Sequence, residues 1–557
     1  MKQKIGNVTL DYTYYSGREQ YTDGAIEDVL LEAVKGGKAD ELLHESDQWA
    51  VLYHLSDIRE NLLEWYPFER EADILEIGSG CGGLTGLFSR KVHSVTCIEL
   101  SEKRSMINAY RNKDRANIKI MLGNFEDIRL EQTFDYVTLI GVWEYSGIYI
   151  SKGGEKSYLY MLEKAKRYLK PDGKIIVAIE NKMGLKYWNG AVEDHTGKLY
   201  SGMNDYVGEK NVRTFSKQEI VRLLRKAGIE ECFFYYPTPD YKLPDCIYTD
   251  GKLPEPGDLR DYLKDYNAVR IYNFFDATSW DQICDDEIFS YFSNSFLFIC
   301  GEGKEKILSA KYNKERKAKY RISTIIKERA GKRYVERKAL NREADSHIIQ
   351  IKQNEDRWKG ILPSIEYAPG NIEDNAYISP YVEGVELDTY FYRLRSDVEE
   401  LMMQVGEIIK NYLTPAREEC IPFVYTQEFR EVFGERYPKD GYSLKITNVD
   451  LTFSNLKLTH EKRLTNFDYE WIFDFPVPYE YVIWRTLKQF YNKFNIYFKY
   501  KITKSNFIAK FGINMDNLGV YEEMEKHFTE YVFGRNYCEQ YLNHYRKKTI
   551  IASYDFR

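Results

Sequence analysis

ADILEIGSGCGGLTGLFSRKVHSVTCIEL, residues 72–100, places five glycines between two apolar runs that each end on an acid. Gly78, Gly80 and Gly82 follow an apolar strand and precede a helical segment, with the spacing G-x-G-x-G. Glycine allows a positive φ angle and lets a ligand approach bare backbone at a helix N terminus. The stretch therefore predicts a ligand-binding turn, and Glu99 at the end of the next strand can hold the hydroxyls of a ribose. An ordinary strand–helix turn without a ligand is the alternative.

Short apolar strands and helical segments alternate on both sides of this stretch. This alternation is typical of the α/β class, in which helices cover a parallel sheet. The chain has 557 residues, which exceeds the ~250 to 300 residues that one core supports. Because the composition changes near residue 303, we predict an N-terminal cap over residues 1–66, an α/β domain over 67–303 and a further domain over 304–557.

The composition excludes several classes of function. A net charge of −7 gives no general attraction for nucleic acid. The eight cysteines lie far apart without the spacing of a zinc site, so the sequence indicates neither structural zinc nor a disulfide framework. No segment has the apolar character of a signal peptide or of a membrane span. We therefore expect a cytoplasmic protein that does not bind nucleic acid.

The stretch resembles motifs I and II of class I S-adenosylmethionine (SAM)-dependent methyltransferases. The resemblance extends to GNFEDI at 123–128, FDYVTLIGVWEYS at 134–146 and LKPDGKIIVAIEN at 169–181. It implies a Rossmann-like methyltransferase sheet and SAM as the cofactor. The residues implied as cofactor contacts are Glu76, Gly78, Gly80, Gly82, Glu99, Asn124 and Phe125.

The connection after the fifth strand, IENKMGLKYWNGAVEDHTGKLYSGMNDY at 179–206, is long and rich in polar and aromatic residues. Such insertions at the carboxyl edge of a sheet usually contact substrate. His195 is the first candidate for a catalytic base, because histidine titrates near neutrality. Glu144 is the second candidate. A structural histidine and a sheet-edge carboxylate remain the alternatives.

The second half contains a pattern suited to phosphoryl transfer, ITNVDLTFSNLKLTHEKRLTNFDYEW at 446–471. Asp450 can orient an attacking hydroxyl, while Asn455 and Asp468 can hold Mg²⁺ on phosphates. The pattern resembles aminoglycoside and choline kinase-like enzymes, which implies a two-lobed, protein-kinase-like α+β domain that uses ATP and Mg²⁺. The resemblance also implies Lys338 as a phosphate clamp and Glu343 as its partner.

Two departures from that family leave two interpretations of the function of the second half. Asn448 stands where the family usually has histidine, and no glycine-rich loop precedes Lys338. A kinase-like scaffold without chemistry is therefore the alternative. The basic run KYNKERKAKYR at 311–321 could face an anionic lipid surface or a diphosphate-linked glycan, or form a solvated strand pair.

The order of the two domains resembles bifunctional enzymes that end bacterial O-antigen chains by phosphorylation and methylation. This resemblance implies a lipid-linked surface glycan as substrate and an enzyme peripheral to the inner face of the cell membrane, with glycosyltransferases as further partners. The first alternative is a sugar O-methyltransferase whose second half only binds glycan or nucleotide. The second is a non-enzymatic scaffold of a polysaccharide assembly complex.

Overall fold

The structure, a computed structural model, describes residues 1–209, 212–260, 270–301 and 306–534, together with the backbone of residues 551 and 552. The strands of the first half are β1 (Lys2–Ile5), β2 (Val8–Asp11), β3 (Asp73–Ile77), β4 (Ser94–Glu99), β5 (Ile118–Leu122), β6 (Phe134–Ile140), β7 (Leu169–Glu180), β8 (Cys232–Thr238), β9 (Cys246–Thr249), β10 (Ile271–Tyr272) and β11 (Ser295–Cys300). The helices of the first half are α1 (Ile26–Lys35), α2 (Ala39–Glu45), α3 (Trp49–Leu55), α4 (Thr85–Lys91), α5 (Glu102–Arg111), α6 (Ser146–Tyr149), α7 (Glu155–Arg167), α8 (Leu185–Trp188), α9 (Lys217–Lys226), α10 (Asp276–Asp285) and α11 (Phe289–Phe292).

The second half is also of mixed type. Its strands are β12 (Lys306–Tyr312), β13 (Ile322–Arg329), β14 (Lys332–Ala339), β15 (Glu366–Tyr367), β16 (Asn371–Glu373), β17 (Ala376–Pro380), β18 (Val385–Glu386), β19 (Cys420–Pro422), β20 (Tyr442–Leu444), β21 (Thr447–Asn448), β22 (Leu456–Leu458), β23 (Leu464–Asn466), β24 (Ile472–Phe473), β25 (Val477–Pro478) and β26 (Ile551–Ala552). Its helices are α12 (Asp345–Trp358), α13 (Leu387–Arg393), α14 (Val398–Ile408), α15 (Gln427–Phe433), α16 (Tyr479–Phe498), α17 (Lys504–Ala509) and α18 (Leu518–Phe533).

The sheet of the first half is parallel at its centre, in the order β5-β4-β3-β6-β7. Ile74 and Leu75 show how β3 is buried on both faces, because these neighbours point to opposite sides and neither side chain reaches solvent. The strand order reverses beside β3, where β4 lies on one side and β6 on the other. Ligands of open α/β sheets bind at such a switch point, beyond the carboxyl ends of the strands. The predicted α/β class is confirmed.

Residues from the predicted N-terminal cap join this sheet instead of standing apart from it. Strand β2 pairs in parallel with β5, and β1 continues the edge as its antiparallel neighbour. Helix α1 packs on α5, the helix that follows the second strand of the switch point. The segment between β2 and α1 therefore passes over the carboxyl ends of the central strands, where the site lies.

The sheet also continues across the boundary that we predict near residue 303, a position outside the described residues. Within the described part of the chain, fifteen strands form one sheet in the order β1-β2-β5-β4-β3-β6-β7-β11-β8-β9-β12-β13-β14-β17-β16. The two halves of the sheet are connected by the antiparallel pairing of β9 with β12, in which Ile247 lies opposite Ala310. The two halves therefore share backbone hydrogen bonds, and a large aromatic core under α16 supports the second half.

The basic run at 311–321 leads from β12 to β13, and two of its cations have partners elsewhere in the chain. Lys314 is buried and donates to the Asp57 backbone carbonyl, while Arg316 forms an ion pair with Glu470. These contacts tie the hairpin to the protein itself, so the two cations are engaged within the chain. Among the residues that the structure describes, no helix has the length and apolar character of a membrane span.

Candidate functional site

The three glycines of the turn have different surroundings. Their φ angles are +69° at Gly78, +52° at Gly80 and +78° at Gly82, a region that side chains disfavour. A Cβ on Gly78 would lie 2.4 Å from Val142 Cγ2, and one on Gly82 would lie 2.4 Å from Asn108 Oδ1. A Cβ on Gly80 would meet no atom within 4 Å. Gly78 and Gly82 therefore permit close packing of the turn, whereas Gly80 leaves space for a ligand.

That space is a cavity of about 450 Å³ at the carboxyl ends of β3, β4, β5, β6 and β7. The predicted residues that line it are Gly78, Gly80, Glu99, Asn124, Phe125, Glu144 and His195. Residues that the sequence analysis missed also line it, chiefly Tyr21, Arg104, Tyr145, Glu180 and Lys242. One continuous cavity thus joins the predicted cofactor turn to the predicted catalytic residues.

The Glu99 carboxylate fixes the glycine turn by accepting hydrogen bonds from backbone amides. Its Oε2 accepts from Gly80 N at 2.8 Å, and its Oε1 accepts from Leu100 N at 2.9 Å and Ser101 N at 3.0 Å. Burial raises the pKa of Glu99, although Arg104 and these amides oppose the rise. A carboxylate offers about four acceptor positions, so three amides leave room for a hydroxyl of a bound ligand.

Glu76 lies behind the turn and outside the cavity lining, so the prediction that it contacts the cofactor is corrected. Its Oε2 accepts from Thr85 Oγ1 at 2.6 Å and lies 3.4 Å from Cys97 Sγ. Side chains alternate along a strand, and this residue of β3 points toward α4. Burial raises the pKa of Glu76 to about 7.

We predict that Glu76→Gln changes the pH dependence of stability. Because the folded pKa of about 7 exceeds the ordinary value of 4.5, folding favours the protonated acid. The wild type therefore loses stability as pH rises from 4.5 to 7, by roughly 2 to 3 kcal/mol between pH 5 and pH 8. Glutamine cannot ionise but can still accept from Thr85. Denaturant titrations at both pH values should show a loss that is roughly 2 to 3 kcal/mol larger in the wild type than in the variant, because groups such as Glu144 titrate in both proteins. Equal losses in both proteins would refute it.

Asn124 and Phe125 follow β5 at the edge of the cavity. Asn124 Oδ1 accepts from Glu126 N at 2.9 Å, and its Nδ2 donates to Tyr149 O at 2.8 Å. The Phe125 ring is buried, with Lys164 Nζ 4.8 Å from its centre. The amide of Asn124 thus shapes the turn. The predicted contact of these two residues with adenine stays a prediction.

Three titratable side chains meet at the other end of the cavity. Glu144 follows β6, Glu180 ends β7, and His195 lies in the long connection after it. His195 Nε2 is 3.4 Å from Glu180 Oε2, and its Nδ1 is 3.1 Å from the Tyr145 hydroxyl. Neither carboxylate oxygen of Glu144 has a hydrogen-bond partner among the described residues, although the side chain is fully buried.

The charges of this cluster are set by Lys242. Its Nζ is 2.6 Å from Glu180 Oε1 and 2.6 Å from Asp194 Oδ1. Burial acts to raise the pKa of Glu180, but Lys242 and His195 outweigh it and hold the pKa well below its usual range. Burial and then repulsion by Glu180 raise the pKa of Glu144 to about 8.

His195 is not the free neutral base that we predict from the sequence. Burial acts to lower its pKa, but the contact with Glu180 and the charge of Glu144 raise the pKa to about 9. A pKa of about 9 favours the protonated imidazole at neutral pH, and its Nε2 faces Glu180. Glu144 is the member with free acceptor atoms, which favours the second of the two candidates.

An N-terminal segment covers the cavity, and no motif in the sequence indicates this role. The Tyr21 ring lies against Arg104, with the guanidinium carbon 4.3 Å from the ring centre. The Tyr21 hydroxyl is 3.5 Å from the Tyr145 hydroxyl, and Asp23 accepts from His54 at 3.0 Å. The segment thus encloses the site with aromatic surface.

A second cleft, of about 870 Å³, lies between the strands β12–β14 and helix α16. The predicted metal ligands Asn455 and Asp468 line it together with Arg337. Asp450 lies outside the lining, and its carboxylate accepts from Arg485 at 2.8 Å and from Asn455 at 2.9 Å. Burial raises the pKa of Asp468, although Arg337 opposes the rise.

Lys338, the residue that we predict as the phosphate clamp, does not line the second cleft. Lys338 is exposed on the opposite face of β14, whereas its neighbour Arg337 points into the cleft and lies 3.3 Å from Asp468 Oδ2. Glu343 is exposed in the turn before α12, so it cannot partner a buried cation. Because side chains alternate along a strand, a one-residue error moves a cation to the other face.

Comparisons with known proteins address the first half of the chain. A family model described as a methyltransferase domain matches residues 75–177. Phosphoethanolamine N-methyltransferase 1 of Haemonchus contortus is 14% identical over 49% of this chain and 49% of its own, with a TM-score of 0.29. This chain thus spans about half of that relative.

Two further structures resemble the chain. The N-methyltransferase NodS of Bradyrhizobium japonicum, in complex with S-adenosylhomocysteine, is 13% identical over 34% of this chain and 85% of its own, with a TM-score of 0.24. A SAM-dependent methyltransferase of Methanosarcina mazei is 14% identical over 42% and 94%, with a TM-score of 0.26. Similarities of this size carry no argument about substrate.

No curated protein matches the chain. The kinase-like class of residues 304–557 stays a prediction. The family match covers the stretch that contains the glycine turn, Glu99, Glu144 and most of β7. The chain therefore contains a class I SAM-dependent methyltransferase domain with a Rossmann-like sheet.

Proposed function

We propose that the protein transfers the methyl group of SAM to a hydroxyl at the end of a bacterial surface glycan. The observation that carries this proposal is the shared cavity, in which the open side of Gly80 faces the same volume as the unpartnered carboxylate of Glu144. The first is suited to a cofactor and the second to an acceptor that must lose a proton. The glycan is proposed from the sequence resemblance.

The chemistry follows from these positions. The acceptor oxygen attacks the methyl carbon, the bond from that carbon to sulfur breaks, and the positive charge of the sulfonium disappears. The hydroxyl proton passes to an oxygen of Glu144. The aromatic rings of Tyr21 and Tyr145 meet edge to face in the cavity lining and offer apolar surfaces to a sugar ring.

Mass spectrometry tests this function. The purified full chain is incubated with SAM and a lipid-linked oligosaccharide, and the glycan should gain the mass of one methyl group. A glycan of unchanged mass, under conditions in which the protein binds SAM, would refute the glycan as acceptor. If the chain instead bound no SAM, the non-enzymatic scaffold would be the better account.

A second activity, phosphorylation of the same glycan by ATP and Mg²⁺, is favoured by the convergence of Asn455 and Asp468 in the second cleft. The ion pair of Arg337 with Asp468 favours the alternative, in which the cleft binds a nucleotide or glycan without chemistry. We also propose that the enzyme works at the inner face of the membrane, beside glycosyltransferases.

We predict that Asp468→Asn removes an ATP-dependent gain of one phosphate but leaves SAM binding unchanged. The side chain keeps its volume but loses the charge that would hold Mg²⁺ on the phosphates. Glycan mass, followed with and without ATP, checks this result. If the wild type shows no phosphate gain, the cleft is a binding module. If methyl transfer stops when ATP is withheld, the phosphate is the methyl acceptor.

A further inference from the structure

The cluster of Glu144, Glu180 and His195 presents three acceptor atoms to one another inside the cavity. One ligand atom of each residue lies within 4.8 Å of the other two. Both oxygens of Glu144 are buried without a hydrogen-bond partner in the described part of the chain, while Oε2 of Glu180 and Nε2 of His195 contact each other at 3.4 Å. Leaving buried polar atoms unpaired is costly, so such a convergence indicates a missing partner.

We propose that these three residues bind one divalent metal ion, of the Mn²⁺ or Zn²⁺ type, beside the methyl acceptor. Two carboxylate oxygens and an imidazole nitrogen form a mixed oxygen and nitrogen donor set, which suits these ions. The site differs from the predicted Mg²⁺ site at Asn455 and Asp468, which lies in the other cleft.

The distances permit this assignment. Three atoms that lie within 4.8 Å of one another share a point no more than about 2.8 Å from each. Metal–ligand bonds to such atoms are about 2.0 to 2.2 Å, so each ligand atom needs to move by at most about 0.6 to 0.8 Å. Glu144 can make this movement without breaking a hydrogen bond of its carboxylate.

The surrounding contacts orient the ligands as a metal site requires. Glu180 turns its other oxygen to Lys242 Nζ at 2.6 Å, which leaves Oε2 for an ion. The Nδ1 atom of His195 lies 3.1 Å from the Tyr145 hydroxyl, a contact that fixes the ring and leaves Nε2 to the cluster. Outer contacts of this kind are typical of metal ligands.

The charge around the cluster also leaves room for a cation. Lys242 is shared between Glu180 and Asp194, and Asp194 also binds Lys186 at 2.8 Å. The two lysines are therefore matched by Asp194 and Glu180, and Glu144 has no ion pair with a described lysine or arginine. A metal ion would supply the cation beside Glu144.

The role of the ion rests on the proposed function. Three protein ligands leave coordination positions free toward the cavity, where the acceptor hydroxyl can bind. The ion makes that hydroxyl easier to ionise and stabilises the oxygen anion. The proton passes to the second oxygen of Glu144, the oxygen attacks the methyl carbon of SAM, and the carbon–sulfur bond breaks. No oxidant or further reactant is needed.

Calorimetric titration of MnCl₂ into the full chain, after treatment with a chelator, tests metal binding without substrate. The wild type should bind one ion per chain. Glu180→Gln and His195→Gln should each weaken binding at least ~100-fold, because loss of a ligand exceeds the 10- to 100-fold effect of an outer contact. Glu209→Gln, in which an acid paired with exposed Lys198 is neutralised, should bind as the wild type.

SAM binding by the same variants shows that they are folded, because the turn at Gly80 and Glu99 does not depend on the ion. No Mn²⁺ or Zn²⁺ binding by the wild type would overturn the proposal, as would equal binding by all variants.

Chelator should reduce methyl transfer at least ~100-fold, and Mn²⁺ should restore it. Full activity in chelator overturns the metal role but keeps the proposed function. Metal binding without methyl transfer refutes the proposed function and keeps the site.

Discussion

Gly80→Val weakens SAM binding at least ~100-fold, whereas Gly153→Val preserves it. Both glycines have a positive φ angle, +52° and +78°, and a Cβ at either position would meet no atom within 4 Å. Valine therefore costs each backbone a similar strain, on the order of 1 to 2 kcal/mol. Only Gly80 lines the cavity. Its new side chain would fill the space into which the cofactor must fit.

Calorimetric titration of SAM separates the two variants. We expect the dissociation constant of Gly80→Val to rise at least ~100-fold, about 2.7 kcal/mol, and that of Gly153→Val to stay within ~3-fold of the wild type. Thermal melting of both variants controls for the shared backbone strain. Wild-type affinity in Gly80→Val would show that SAM binds elsewhere.

Glu144→Gln lowers the rate of methyl transfer at least ~100-fold and leaves SAM affinity unchanged. The substitution keeps the shape of the side chain but removes its capacity to ionise and therefore to take a proton. General base catalysis contributes about 10² to 10⁴ in rate, and loss of a metal ligand acts in the same direction. Glu144 lies at the acceptor end of the cavity, and Glu99 holds the cofactor turn.

The rate is measured by single-turnover methyl transfer with SAM in excess. Glu209→Gln is the matched control, because the same substitution then affects a paired acid outside both cavities. A wild-type rate in Glu144→Gln would exclude the proposed acceptor end of the site. A large loss of SAM affinity would instead place Glu144 in the cofactor site.

The sequence predicts the cofactor end of the site well because its determinants are local. Gly80 and Glu99 lie 19 positions apart on consecutive strand ends, and the parallel sheet brings such ends together. Glu76 lies in the same motif but faces α4. Its neighbours in sequence do not indicate which face of the strand it occupies.

The acceptor end is harder to predict because its residues come from separate elements. Glu180 is the last residue of β7, and Lys242 lies 62 positions later in the loop after β8. Only the packed sheet places these two within 2.6 Å of each other. The pairing of β9 with β12 is non-local in the same way, and no local pattern indicates that the sheet continues into the second half.

The cation that faces the second cleft could not be predicted from the sequence for a different reason. Strand β14 carries cations at adjacent positions, Arg337 and Lys338, so its composition does not reveal which one faces inward. Burial settles the matter, because Arg337 is 4% exposed and contacts Asp468. A pattern that is basic on both faces of a strand cannot specify register.

The central claim is that the cavity beside Gly80 and Glu99 holds SAM. Calorimetric titration of SAM into the purified wild-type chain tests it most directly. The account predicts saturable binding with one molecule per chain. A titration without heat of binding, supported by a second method such as equilibrium dialysis, would contradict it.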